Sequence, residues 1–295
     1  MVTRRLDDAD RRNVQTLLAS AAREDGLWPM SDQLVADLTA SESHDGDHTP
    51  ISVLVTDDGG ELAGYAQASR GSDGWTMQVV VGPAHRRASA HIVDDLVRAL
   101  LAGVAGAGGG HVDWWLYEPS ADATDRAAAH GFDFDRDLLQ MRRPLPVGAR
   151  ATVLTRAFVV GQDEEAWLTV NNRAFAGHHE QGTWTLDTLY QRMAQPWFDA
   201  VGFRLHERDG RLAAFCWTKR HDRTTGEIYV IGVDPDFQGL GLGKELTLAG
   251  LDHLHDHGVT DAMLYVDGAN VAARALYERL GFTVHRTDRA FSRDV

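Results

Sequence analysis

The sequence predicts an α/β (α+β) chain built from two tandem copies of one fold, and three observations lead there. Segments recur at a fixed distance: Gly60-Glu61-Leu62-Ala63-Gly64-Tyr65 resembles Gly210-Arg211-Leu212-Ala213-Ala214-Phe215, and His130-Gly131-Phe132 matches Leu280-Gly281-Phe282, both 150 residues apart. Val81-x-Pro83 matches Val233-x-Pro235 at a spacing of 152. A repeat this long is a whole domain rather than a solenoid unit. The length of 295 residues suits about two domains. Lastly, an apolar stretch at 227–233 runs through a proline turn into a glycine-rich loop that opens an amphipathic helix.

The copies fall at 1–143 and 151–295, joined near 143–148, where Pro144 and Pro146 suit a linker. In the first copy, Ser31 and Asp32 open a helix over 31–38. In the second, 163–175 and 185–193 read as helices ahead of the first hairpin, and 227–233 as a strand. Gly239, Gly241 and Gly243 start the next helix, and Leu264-Tyr265-Val266 the next strand. Asn270 to Tyr277 form a short helix that Gly281 closes as a C-cap.

Composition narrows the function. Hydrophobic residues at 43% and charged ones at 24% are ordinary for a globular protein. A net charge of −14 argues against nucleic acid or an anionic membrane and suits a small cationic substrate such as an amine. The one cysteine, Cys216, excludes an intrachain disulfide and sits between aromatics as core. No stretch approaches the roughly 20 apolar residues of a membrane span, and the start lacks an apolar signal core, so a soluble cytoplasmic protein is expected; a monomer is the separate expectation for its assembly. His253, His255 and His257, or His178-His179-Glu180, fall short of a tetrahedral ligand set, so no metal is expected.

A helix start presents unpaired N–H groups and the positive end of a dipole, which suits a phosphate. The glycines let the backbone approach an anion with no Cβ in the way. The spacing is neither that of a dinucleotide fold nor that of a Walker loop. V-x-P-x-x-Q-x-x-G-x-G (Val233, Pro235, Gln238, Gly241, Gly243) resembles the pyrophosphate loop of the GNAT acetyltransferases. Asn270, Ala273, Leu276, Tyr277, Gly281 and Phe282 resemble the family's second signature, N-x-x-A-x-x-L-Y-x-x-x-G-F. The resemblance implies two tandem GNAT acyl-CoA N-acyltransferase folds, each a mixed, mostly antiparallel sheet flanked by helices. It also implies acetyl-CoA as co-substrate. The implied cofactor contacts are Ile231, Gly232, Val233, Gln238, Gly239, Leu240, Gly241, Leu242, Gly243, Lys244, Asn270, Ala273 and Arg274.

Acetyl transfer to an amine requires a held cofactor, a polarised carbonyl, a deprotonated amine and a protonated leaving thiolate. Backbone amides near Ile231-Gly232-Val233 meet the second demand if Gly232 marks a bulge. Glu227 at the strand start can serve as base, and Tyr277 can serve the thiolate as acid. Read structurally instead, Gly232 is a packing glycine, Glu227 a strand-end acid, and Tyr277 a core tyrosine.

The repeat is also an internal control. Gly241 and Gly243 align with Ser89 and His91, Tyr277 with Ala127, Glu227 with Trp75, and Lys219 with Ser69. The first copy is therefore expected to be degenerate and non-catalytic, kept for packing and as a wall of the substrate cleft. Arg86 and Arg87 can still attract phosphate, and resemblance to tandem members of the family implies that a residual acetyl-CoA site, where kept, lies around Val79, Val80 and Val81.

Val170-Asn171-x-x-Ala174-Phe175, His178-His179-Glu180-Gln181-Gly182, Trp217-Thr218-Lys219 and 226–233 look like the mycothiol synthases, tandem members of the GNAT superfamily. That resemblance implies acetylation of the cysteinyl amine of a cysteinyl-glucosaminyl-inositol. The acceptor contacts it implies are Asp32, Glu180, Lys219, Glu227 and Tyr265. Alternatives are another small amine, a protein N-terminus, or a non-catalytic acyl-CoA sensor.

Overall fold

The computed structural model describes residues 2–3, 6–39, 49–71, 74–88, 90–177 and 181–295. The first copy runs β1 (Val2–Thr3), α1 (Asp8–Asp25), α2 (Asp32–Thr39), β2 (Ile51–Thr56), β3 (Leu62–Arg70), β4 (Trp75–Val81), α3 (Ala90–Gly106), β5 (His111–Tyr117), α4 (Ala121–Ala129) and β6 (Asp133–Pro144). The second runs β7 (Arg156–Ala157), α5 (Glu164–Ala174), α6 (Leu186–Met193), β8 (Phe203–Arg208), β9 (Arg211–Arg220), β10 (Thr225–Val233), α7 (Leu242–Asp256), β11 (Asp261–Asp267), α8 (Val271–Arg279) and β12 (Thr283–Asp294). The helices and strands expected from the sequence are all among these.

Contacts divide the chain into two units whose limits differ from the repeat boundary at 1–143 and 151–295. One unit is Met1–Asp137 with Asp288–Val295, the other Leu138–Thr287. The cause is strand pairing. Residues 288–294 of β12 pair with β5, from Asp288↔Tyr117 to Asp294↔His111. Residues 138–144 of β6 pair with β11, from Asp267↔Leu138 to Asp261↔Pro144. Nor is the segment after Pro144 a loose linker. Leu145 N–H donates to Thr260 O at 2.7 Å, Ala151 N–H to Asp252 Oδ2 at 3.0 Å, and Arg150 pairs with Asp256.

In the first unit the strand order is β1-β2-β3-β4-β5-β12, antiparallel except for β4 with β5. In the second it is β6-β11-β10-β9-β8-β7, antiparallel except for β10 with β11. Each is thus a mixed, mostly antiparallel sheet.

Alternation along β9 builds both cores of the second unit. Ala214 and Cys216 join Leu246, Leu251 and Leu254 of α7, while Phe215 and Trp217 join Trp167 of α5, Leu189 of α6 and Phe203 of β8. Helix α7 sits so close that a Cβ on Gly250 would lie 2.5 Å from Cys216 Sγ. Burial pushes the Cys216 thiol up to about 12, so it is an inert core residue. Helix α8 closes with Gly281 at φ 85°, where Gly281 N–H donates to Glu278 O and Phe282 N–H to Tyr277 O. The first unit repeats this closure at Gly131 and Phe132.

Candidate active site

The glycine loop is held from below and open above. Asp234, 2% exposed, follows β10 and accepts the Asp236 N–H at 2.9 Å. Arg173 of α5 reaches both carboxylates, Asp234 at 3.0 Å and Asp236 at 3.0 Å, and Arg211 gives Asp236 a second pairing. Gly239 at φ 78° and Gly241 at φ 76° turn the chain through the left-handed region, where a side chain costs about 1–2 kcal/mol. A Cβ at either glycine would meet nothing within 4 Å. Gly241 is the N-cap of α7 and supplies no side chain to its first turn. Glu245, the first-turn acid that could have reached back, accepts instead from Thr152 N–H at 2.6 Å and Thr152 Oγ1 at 2.9 Å. Donors, dipole and open space together fit a phosphate group. Gln238 and Leu240 on this loop and Lys244 in the first turn of α7 are exposed, whereas the Leu242 side chain is core.

Beside the loop, two strands part. Registered pairs between β10 and β11 run from Thr225↔Asp261 to Ile228↔Leu264, and from Val230 to Val233 the register of β10 is with β9. Asp234 donates its N–H to Ala213 O of β9. N–H groups alternate sides along a strand, so those of Ile231 and Val233 turn toward the side where β11 has parted. The bulge expected at Gly232 is elsewhere: the register slips between Ile228 and Val230, making Tyr229 the extra residue. Gly232 pairs regularly with Phe215, and a Cβ there would lie 2.7 Å from the Phe215 ring and 3.2 Å from Ala174 Cβ. It is a packing glycine, and the amides at this point are freed by strand divergence.

Glu227 is 5% exposed, one residue before the last β10–β11 pair. Lys219 stands directly opposite on β9, with its ammonium 5.0 Å from the Trp197 ring centre and 5.6 Å from that of Tyr229. His221 Nε2 lies 2.7 Å from Glu227 Oε2. The sequence reading missed His221, Trp197 and Tyr229. Pairing 219 with 227 across a hairpin would have drawn His221 in.

Tyr277 lies in the core with Leu242, Leu246 and Phe282, and burial pushes its phenol above the ordinary tyrosine value. It therefore keeps its proton across the physiological range. Its neighbour Leu276 approaches α7, with Cδ2 3.6 Å from where a Gly243 Cβ would stand. Asn270 caps α8 through Ala273 N–H at 3.1 Å, and Arg274 Nη1 donates to Gly268 O at 2.9 Å. Tyr265 is 37% exposed; its hydroxyl accepts from Gln140 Nε2 at 2.7 Å and from Arg286 at 3.2 Å. Asp32 is the first residue of α2 and is described through its backbone alone. Glu180, with His178 and His179, lies outside the described residues. Among the described residues no group of three or more His, Cys, Asp or Glu is placed to hold a metal ion.

The first unit keeps the divergence with different side chains along it. Its β4–β5 pairs run from Trp75↔Val112 to Met77↔Trp114, so Val79, Val80 and Val81 lie past the parting. The pairing of β4 with β3 is unbroken, with no bulge. Ser69↔Thr76 and Thr76↔Asp113 correspond to Lys219↔Glu227 and Glu227↔Met263, so Thr76 rather than Trp75 occupies the place of Glu227. The extra residue Tyr229 accounts for the one-position difference. Arg86 is held bidentate by Asp25 at 2.6 and 2.7 Å, and Ser89 lies outside the described residues.

A model of the acetyltransferase (GNAT) family matches residues 165–282. The mycothiol acetyltransferase of Thermomonospora curvata is 45% identical, over 96% of this chain and 93% of its own length. That of Streptomyces coelicolor is 44% identical, over 93% of this chain and 89% of its own. Among solved structures, a GCN5-related N-acetyltransferase from Sphaerobacter thermophilus superposes with a TM-score of 0.76 at 21% identity, covering 99% of this chain and 95% of that one. A tandem GNAT protein from the clavulanic acid biosynthesis pathway gives 0.66 at 17% identity, covering 99% and 97%. These two likenesses concern the fold, and among the described residues no helix is long and apolar enough to cross a membrane. Between the glycine-opened helix, the parted strands and relatives similar over nearly their whole length, the chain belongs to the mycothiol acetyltransferase family of GNAT acyltransferases.

Proposed function

We propose that the second unit binds acetyl-CoA at the start of α7 and acetylates the cysteinyl amine of cysteinyl-glucosaminyl-inositol, giving mycothiol in the cytoplasm. The thioester supplies an activated acetyl carbon, and the rest falls to this chain's own residues. First-turn N–H groups of α7 hold the pyrophosphate, and the N–H groups of Ile231 and Val233 polarise the carbonyl. Glu227 takes the amine proton, while Lys219 and Tyr265 bond the acceptor's hydroxyls. A buried phenol is a weaker acid than a thiol, whose ordinary value is about 8.5, so Tyr277 offers the leaving sulfur a hydrogen bond rather than an easy proton.

One observation carries this reading. A buried carboxylate, Glu227, stands where β10 leaves β11, on the strand that leads into the open glycine loop. The test is release of free CoA from acetyl-CoA with cysteinyl-glucosaminyl-inositol, compared with a panel of aminoglycosides and peptide N-termini. Strong preference for the cysteinyl sugar is expected. Turnover of another amine at a higher kcat/KM would reassign the acceptor, and acetyl-CoA binding without turnover of any amine would favour a sensor.

A further inference from the structure

Glu227 has 5% of its surface exposed, and a buried charge needs a partner. His221 supplies one at 2.7 Å, and the assignment of Glu227 as base leaves that contact unexplained. The histidine's place is built into the β9–β10 hairpin. His221 N–H donates to Thr225 O at 3.0 Å. Asp222 locks the turn by accepting the N–H groups of Thr224 at 2.7 Å and Thr225 at 2.8 Å, which hold its carboxyl down at about 2. It is committed to the backbone and does not compete for the ring. The His221 side chain is 32% exposed and lines a cavity of about 400 Å³ with Trp197, Asp199, Arg220 and Arg223. Charged groups facing the pair are therefore Asp199, Lys219, Arg220, Asp222 and Arg223.

We propose that His221 is the positioning residue of the base: it donates Nε2–H to Oε2 of ionised Glu227 and leaves Oε1 free for the amine proton. In that step one amine N–H breaks and one O–H forms at Oε1, while Nε2–H stays on the ring. The buried carboxylate is thereby hydrogen-bonded and aimed, by a ring that meets solvent in the cavity. The proposal rests on the acetyl-transfer reading for its kinetics but not for its geometry.

Two substitutions and one spectrum test it. His221→Leu removes the donor and should lower kcat for the cysteinyl-sugar acceptor about tenfold to hundredfold, with KM for acetyl-CoA within about twofold. His221→Gln restores an N–H donor and should stay within about threefold of wild type. Nitrogen-15 spectra of the free protein should show His221 as the Nε2–H tautomer, a preference that Glu227→Gln weakens. Wild-type kcat in His221→Leu, equal losses in the Leu and Gln variants, or an Nδ1–H tautomer would each overturn the proposal. If wild type ignores the cysteinyl sugar, the acceptor assignment fails, and the tautomer alone decides the role of His221.

Discussion

Gly243→Ala separates a glycine kept for a ligand from one kept for the fold. Gly243 is the second residue of α7, its φ is outside the left-handed region, and an added Cβ would make an ordinary 3.6 Å contact with Leu276. Nothing in the fold resists that methyl. Alanine in place of a helical glycine gains up to about 0.5–1 kcal/mol, less near a helix end. The melting temperature should therefore hold or rise by up to about 3 °C. Affinity for acetyl-CoA should move the other way. If the phosphate meets the backbone here, the methyl stands in its path and costs a charge-assisted hydrogen bond of about 1.5–3 kcal/mol, roughly ten- to hundredfold in Kd. Calorimetric titration and a melting curve on the same sample read both numbers. A wild-type Kd would refute close backbone approach at Gly243, and a fallen melting temperature would refute the packing argument. Gly241→Ala is the necessary contrast. At φ 76° it should lose about 1–2 kcal/mol of stability even with no ligand present.

Tyr277→Phe should lower kcat about tenfold to hundredfold and leave acetyl-CoA affinity within about twofold, since only a hydrogen bond to the leaving sulfur is lost; an unchanged kcat would leave Tyr277 with a packing role alone. His253, 9% exposed beside His257, has its imidazole lowered from 6.5 to about 4, so the folded state takes up its proton later than the unfolded one. The stability it contributes is complete above about pH 6.5 and is lost as pH falls toward 4, by up to about 3 kcal/mol. Denaturant midpoints across that window should fall less steeply in His253→Gln, and equal slopes would exclude the histidine. A fragment of residues 138–287 should unfold cooperatively whereas 151–295 should not, because the latter lacks the seven β6 partners of β11; cooperative melting of 151–295 in circular dichroism would disprove this.

The local backbone structure was legible because it is written in contiguous residues. The glycine spacing places an open helix start at Gly241, and Gly281 closes α8 as its motif requires. Three things were not legible, each for the same kind of reason. The bulge depends on the register between β9 and β10, and register comes from side chains on both strands. Gly232 and Tyr229 are close enough in sequence that either could have carried it; only the Phe215 ring beneath Gly232 decides. That one-residue difference also displaced the comparison with the first copy, where Thr76 holds the place assigned to Trp75. The limits of the two compact units differ from those of the repeat because a repeat records ancestry of sequence, while a unit records pairing of strands.

Strand pairing also gives the first copy a reason to persist that needs no chemistry from it. Within the second unit, β11 has a partner on either side: β10 in parallel as far as Ile228, and residues 138–144 in antiparallel along its whole length. Those seven residues end the first copy. They place Met141, fully buried, and Leu139 in the core beneath α7, and Gln140 on the hydroxyl of Tyr265. Removing them would strip β11 of its ladder on one side and leave unpaired N–H and C=O groups beside the proposed acceptor contact. The exchange is mutual, since residues 288–294 complete the pairing of β5. Any constraint on the fold of the second unit therefore extends to the end of the first copy. Leu139, Gln140 and Met141 are held there by the core of the second unit and by the Tyr265 hydroxyl.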